Sequence, residues 1–185
     1  MNTSSRKTNA PSSSHEVGMD VKRLEKYSIF AHLTEEELHL FQGSFKEITV
    51  PEGTEFIKEG DVGDSIYLLL NGTVEITQNL TLPLSKSGGD TREKAIIKLS
   101  SDLRPLFGEM SLFNENDRRT ATVRAITECS LAKLMKKDLF AICDAHPDLG
   151  YKVMQNLCQI LCTNLVKANQ NVLKLTTAFS LALER

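Results

Sequence analysis

The chain has 185 residues and a hydrophobic fraction of 41%, which fits one domain with a true core and some extra length. A formal net charge of −2 and a pI near 6.1 leave no basic footprint, which argues against nucleic acid as a partner. No apolar run approaches the ~18 residues of a membrane span, so no membrane association is expected.

Met1 to Val17 is rich in Ser, Thr and Asn and has no apolar run of the secretory kind. Residues 1–18 therefore read as a disordered tail ahead of a domain at 19–185. Asp20 to Phe45 carries helical punctuation. Val21, Leu24 and Ile29 are assigned to a first short helix. Thr34-Glu35-Glu36-Glu37 spells a capping box with acids in the first turn, opening a second helix with Leu38, Leu40 and Phe41. From Ile48 the rhythm becomes strand-like through Val50, Phe56 and Ile57, with a turn at Pro51-Glu52-Gly53. Phe56 to Leu70 reads as strand, glycine turn, strand. Asn71-Gly72 then predicts a hairpin, with Thr73 to Thr77 as the returning strand.

A polar loop from Asn79 to Arg92, containing Gly88-Gly89-Asp90, separates this from Ala95–Leu99. Alternation resumes at Ala121–Ile126 and Ser130–Leu134. Short strands joined by glycine turns predict a jelly-roll barrel over about 47–135. Helices follow over about 137–183. Lys137 to Cys143 is a short helix with Asp138 near its start, and His146-Pro147-Asp148 breaks the chain and begins another. In that last helix Met154, Cys158, Leu161, Leu165, Ala168, Val172, Leu175, Phe179 and Ala182 recur at alternating spacings of 4 and 3. Such a heptad seam calls for a helical partner. Its first half has the option of packing on its own barrel. Leu161, Leu165, Ala168, Val172, Leu175 and Phe179 are assigned to a homodimer helix, with Asn164 and Asn171 flanking it.

Four cysteines (Cys129, Cys143, Cys158, Cys162) without a signal peptide suggest reduced thiols and a cytoplasmic protein. Cys158 and Cys162 lie one turn apart with no histidine near in sequence, so apolar packing is expected of them and no metal site. His15, His32, His39 and His146 fall outside the predicted strands, which argues against a metal enzyme of the cupin kind in the barrel. No G-x-S-x-G, H-E-x-x-H or P-loop pattern appears, and Cys143 with His146 lacks an orienting third group. The chain is not expected to be an enzyme, and no cofactor is expected.

The densest chemistry lies at Phe107-Gly108-Glu109-Met110-Ser111-Leu112-Phe113, followed after a polar loop by Arg119-Thr120-Ala121-Thr122-Val123. Backbone N–H groups at a short helix start attract an anion. Arg119 adds a permanent charge with a planar fork of donors. Glu109 offers an acceptor for a ribose hydroxyl, and Gly108 allows close approach of a ligand to the backbone. In the simplest alternative Arg119 only pairs with Glu109 or Asp117 on a loop.

The segment from Phe107 to Val123 resembles the phosphate-binding cassette of the cyclic-nucleotide-binding domain family, F-G-E-x-[A/G/S]-L, a variable loop, then R-[A/S/T]-A-x-V. The ten residues between Gly108 and Arg119 match the spacing of its bacterial catabolite-activator branch. The glycine turns at Gly53, Glu59-Gly60-Asp61, Gly63-Asp64-Ser65 and Asn71-Gly72 also fit the family. The resemblance runs from about Val21 to the last helix. It implies a mainly β jelly roll with N-terminal helices and a long C-terminal helix that dimerises. It also implies cyclic AMP or cyclic GMP as the ligand. Glu109 would take the ribose 2′-hydroxyl and Arg119 the cyclic phosphate. Gly108, Met110 and Ser111 would lend backbone or hydroxyl contacts, and Thr120 would bind phosphate through its N–H and hydroxyl, with Ala121 beside it in the ligand site. Thr176, Thr177 or Ser180 are candidates for the base edge. Signalling would pass through the last helix to an unidentified partner protein.

Two departures matter. Ser100-Ser101-Asp102-Leu103-Arg104-Pro105-Leu106 lacks the glycine the family places before the cassette and runs longer. Arg118 precedes Arg119, as in the channel branch, and the register of Thr120-Ala121 selects Arg119. No further amphipathic pair follows Leu183, so the helix-turn-helix reader of the catabolite-activator branch, and with it direct DNA binding, is not expected. A second reading is a ligand-independent dimerisation or docking module that keeps this fold.

Overall fold

The structure, a computed structural model, describes residues 19–79, 93–113 and 115–183. The tail at 1–18 and the Gly88-Gly89-Asp90 loop lie outside the described residues. In chain order the elements are α1 (Val21–Leu24), α2 (Glu35–Gln42), β1 (Phe45–Val50), β2 (Glu55–Ile57), β3 (Ser65–Asn71), β4 (Thr73–Asn79) and β5 (Glu93–Ser100). Then come β6 (Leu106–Phe107), β7 (Thr122–Ala125), β8 (Cys129–Met135), α3 (Lys136–Ala145) and α4 (Pro147–Leu183). The strands build two antiparallel four-stranded sheets of order β1-β8-β3-β6 and β2-β7-β4-β5, a jelly roll flanked by helices at both chain ends.

Three layers result, because the first sheet is covered on both faces. On β3, Tyr67 and Leu69 point between the sheets with Val74, Phe107, Val123 and Leu131. Ile66, Leu68 and Leu70 point the other way, into a second core with Phe30, Phe41, Leu139, Leu149 and Val153 from the helices. This double burial explains why Ile66-Tyr67-Leu68-Leu69-Leu70 is apolar without alternation.

Asn71-Gly72 does not close a hairpin. β3 bonds β6 and β8, whereas β4 bonds β5 and β7, so the chain crosses from one sheet to the other at Gly72. Gly72 has φ +98, and a Cβ there would sit 2.6 Å from the Glu128 carbonyl oxygen and 2.7 Å from Cys129 Sγ. The positive φ that suits a tight turn serves here to turn a packed corner. Ile29 also departs from expectation. It lies in a separate 3-10 turn, Ser28–Phe30, beyond the end of α1.

The helices are tied down by local signals and two long-range locks. Glu37 N–H donates to Thr34 Oγ1 (3.3 Å) and Thr34 N–H to Glu37 Oε2 (2.8 Å), completing the capping box of α2. Asn156 Nδ2 on α4 donates to the carbonyls of Ile29 (3.0 Å) and Ala31 (2.7 Å), and Lys152 donates to both Glu37 carboxylate oxygens. α4 meets the core through Leu149, Val153 and Leu157, with Ile160 the last partly buried contact in that cluster. That stripe is turned about 100° from the heptad seam. Cys158 and Cys162 are therefore exposed rather than packed, a correction to the expectation for them. Leu165, Val172, Leu175 and Phe179 are all more than 60% exposed. Among the described residues no helix is long and apolar enough to cross a membrane.

Candidate functional site

β6 leads into the site and Gly108 turns the chain. Its φ of +85 and the absence of a side chain are both needed, since a Cβ would collide with Arg119 Nη1 and approach the Ser65 carbonyl to 2.9 Å. A single 3-10 turn, Glu109–Leu112, follows. Leu112 is sunk in the core shared with α3 and α4, and the Phe113 ring meets Phe140 of α3 edge-on at 6.1 Å. The turn is thus wedged between the sheets and the C-terminal helices.

Arg119 comes to the same place from the loop before β7. Its backbone is clipped to the preceding glycine turn, Arg119 N–H to the Asp61 carbonyl (2.8 Å) and Gly60 N–H to the Arg119 carbonyl (2.9 Å). The side chain is 7% exposed. Nη1 donates to Ser111 Oγ (2.9 Å) and the Gly108 carbonyl (3.2 Å), and Nη2 to the Ser65 carbonyl (2.8 Å). The guanidinium lies 5.8 Å from the Tyr67 ring centroid, a cation–π distance. Burial pushes its pKa down, opposed by Tyr67, Asp64, Glu109 and Asp61, yet a guanidinium stays charged at neutral pH.

Glu109 is 8% exposed. Burial pushes its carboxyl pKa up, and its own backbone N–H and Arg119 pull it only partly back. The simple ion-pair alternative fails. Asp117 is bonded to Lys136, and among the described residues no carboxylate lies within 4 Å of the Arg119 guanidinium. Among the described residues, the acceptors of that buried cation are neutral: two carbonyls and the hydroxyls of Ser111 and Ser65. Of the two adjacent arginines, Arg118 is exposed and donates to the Gly60 carbonyl (2.7 Å), which leaves Arg119 as the buried one.

The structure brings Gly108, Glu109, Met110, Ser111, Arg119 and Thr120 together. Ser111 Oγ donates to the Gly108 carbonyl (2.8 Å), and Thr120 Oγ1 lies 3.5 Å from Met110 Sδ. Ala121 is half-buried next in sequence. Thr176, Thr177 and Ser180 are exposed on the free part of α4, where Thr176 and Thr177 donate back to the carbonyls of Val172 and Leu173. At 1.5 Å per residue Thr176 lies about 24 Å along the axis beyond Ile160. The helix does not bring these hydroxyls to the cassette of its own chain. The glycine-poor loop before the cassette solves its geometry differently, with Ser101–Leu103 as a 3-10 turn and Arg104 in the left-handed region at φ +51.

Gly63 and Ser65 lie far from the cassette in sequence, yet both touch the Arg119 slot. Their distance along the chain from the cassette left no local signal. Among the described residues no cluster of three or more His, Cys, Asp or Glu is placed to hold a metal.

A family model described as "Cyclic nucleotide-binding domain" matches residues 47–146. The "Cyclic AMP receptor protein" of Thermus thermophilus is 29% identical over 141 residues, 76% of this chain and 58% of that protein. The "cAMP-dependent protein kinase regulatory subunit" of Dictyostelium discoideum is 27% identical over 140 residues, 75% of this chain and 40% of that protein. The crystal structure of "Thermus thermophilus Catabolite Activator Protein" superposes with a TM-score of 0.66 at 27% identity, covering 80% of this chain and 63% of that one. The chain thus spans less than two thirds of the length of these relatives.

Proposed function

The chain belongs to the cyclic nucleotide-binding domain family, and from that premise we propose that it is a sensor of cyclic AMP that signals through its C-terminal helices. The observation that carries this reading is the buried guanidinium of Arg119, whose neighbours are polar but uncharged within 4 Å. A cyclic phosphate supplies the missing negative charge, and charge-assisted bonds are stronger than those to carbonyls. Glu109, ionised when ligand is bound, accepts from the ribose 2′-hydroxyl. The N–H groups of Gly108, Met110, Ser111 and Ala121 and the hydroxyl of Thr120 complete the cradle. Cyclic AMP is preferred over cyclic GMP because the two curated relatives above carry cyclic AMP in their names.

The relay follows from how the cassette is seated. Drawing Glu109–Leu112 toward the phosphate moves Leu112 and Phe113, which pack on the helical core and on Phe140. That displacement biases the hinge around Asp138–Pro147 and the start of α4. The ligand shifts the helices by as much as it prefers one arrangement over the other. Leu161, Leu165, Ala168, Val172, Leu175 and Phe179 then join two copies in a coiled coil, since the seam from Leu165 to Phe179 is left exposed by the rest of the chain. The readout is a further protein that recognises the repositioned helices.

Calorimetric titration with cyclic AMP and, in parallel, cyclic GMP tests this. Saturable binding of cyclic AMP, tighter than of cyclic GMP, is expected. Tighter cyclic GMP binding overturns the ligand preference alone. No heat with either, from folded protein stripped of carried-over nucleotide, overturns the sensor and assigns a docking module.

A further inference from the structure

We propose that position 63 is glycine because the ligand site requires it and the fold does not: Gly63 is a positioning residue that leaves room for the Arg119 guanidinium and the Ser111 hydroxyl. The inference rests on the cyclic-nucleotide reading and extends it to the loop before β3, outside the cassette.

Gly53, Gly60, Gly72 and Gly108 all have positive φ, so their backbones favour glycine whatever surrounds them. Gly63 does not have positive φ, and its N–H, donated to the Asp117 carbonyl (2.6 Å), would survive substitution. The obstacle to a side chain is steric. A Cβ built on Gly63 would collide with Ser111 Oγ and come within 2.5 Å of Arg119 Nε and 2.6 Å of Arg119 Cζ. Its three nearest atoms are thus all side-chain atoms of the cassette and its arginine. Such tips swing away at small cost to the fold, but the direction they must take leads off the acceptors that aim Arg119. Those acceptors are the Ser65 and Gly108 carbonyls and Ser111 Oγ itself.

Gly150 on α4 is the contrasting case. A Cβ there would lie 2.8 Å from the Cys143 carbonyl oxygen and 3.0 Å from Cys143 Cβ, atoms of the α3–α4 contact that cannot swing aside. Gly150 serves the packing of two helices, and Gly63 serves the seat of one guanidinium.

The test compares Gly63→Ala, Gly63→Ala/Ser111→Gly and Gly150→Ala in three measurements. These are cyclic AMP titration, thermal unfolding without ligand, and the side-chain Nε–H resonance of Arg119 in ¹⁵N NMR without ligand. Gly63→Ala is expected to unfold within about 2 °C of the wild type, because only side-chain tips have to move to admit the methyl group. It should weaken cyclic AMP binding about tenfold or more, the scale of disturbing one charge-assisted pair, and move the Arg119 resonance toward its solvent-exposed position. Removing the hydroxymethyl of Ser111 in the double variant vacates the first collision and frees space for the guanidinium to shift off the other two, at the loss of one acceptor, so resonance and affinity are expected to recover in part. Gly150→Ala is expected to lower the unfolding temperature and leave the Arg119 resonance in place.

If Gly63→Ala lowers the unfolding temperature as Gly150→Ala does, the glycine belongs to the fold and the proposal is overturned. It is equally overturned if Gly63→Ala leaves both affinity and resonance unchanged. Should the wild type bind neither cyclic nucleotide, the sensor reading fails by itself. The Arg119 resonance then still decides whether position 63 controls the guanidinium.

Discussion

Replacing Arg119 by alanine separates binding from folding, and the structure sets both magnitudes. The substitution removes the donors that reach the Ser65 and Gly108 carbonyls and Ser111 Oγ. Left dry, each unpaired acceptor would cost about 1–3 kcal/mol. Arg119 keeps a 7% exposed edge, however, and water entering the vacated space from there replaces the lost donors. The unfavourable burial that lowers the Arg119 pKa also disappears. Unfolding free energy is therefore expected to change by less than about 2 kcal/mol. Binding is different, because the phosphate loses its cation in a sheltered site. A loss of about 2–5 kcal/mol corresponds to a roughly 30- to 5,000-fold rise in Kd. The assay is thermal unfolding with and without cyclic AMP, alongside calorimetry. At a hundredfold excess over Kd the ligand stabilises the wild type by about 2.7 kcal/mol, or roughly 5–10 °C for a chain of this size. The variant should keep its ligand-free Tm and show no such shift. An Arg119→Ala protein that binds cyclic AMP with wild-type affinity would refute the assignment of the phosphate site.

Further outcomes follow from the same contacts. Glu109→Gln should weaken binding while making the ligand-free protein more stable at neutral pH. Because burial raises the folded-state pKa of Glu109, the folded chain holds its proton more tightly than the unfolded one. Stability then falls as pH rises from the ordinary carboxylate range through the raised value, and the Gln variant should flatten that limb in pH-dependent unfolding. Asn156→Ala strands the Ile29 and Ala31 carbonyls and should cost about 2–4 kcal/mol, read as a lower urea midpoint at unchanged m-value. Placing glutamate at Leu165, Val172 and Leu175 together should halve the mass measured by light scattering. An unchanged mass would rule out the seam as the dimer contact.

The sequence by itself determined what short-range chemistry can encode. Thr34 and Glu37 cap α2 as their spacing demands, Pro147 opens α4, and the Phe107–Val123 cassette shows its glycine, carboxylate and arginine within a few turns of chain. Each of these depends on partners a few residues away, which a linear reading can see. Tertiary structure alone decided the rest. Gly72 turns a corner between sheets because β8, far along the chain, is the neighbour of β3. α4 carries two stripes, and its own core takes Leu149, Val153 and Leu157, leaving the more regular heptad seam outside. Arg119 is aimed by Gly63 and Ser65, 54 residues before it in the case of Ser65. The direction of a buried guanidinium is set by whichever acceptors and empty spaces the fold brings within 3 Å of it, and sequence spacing carries no record of those.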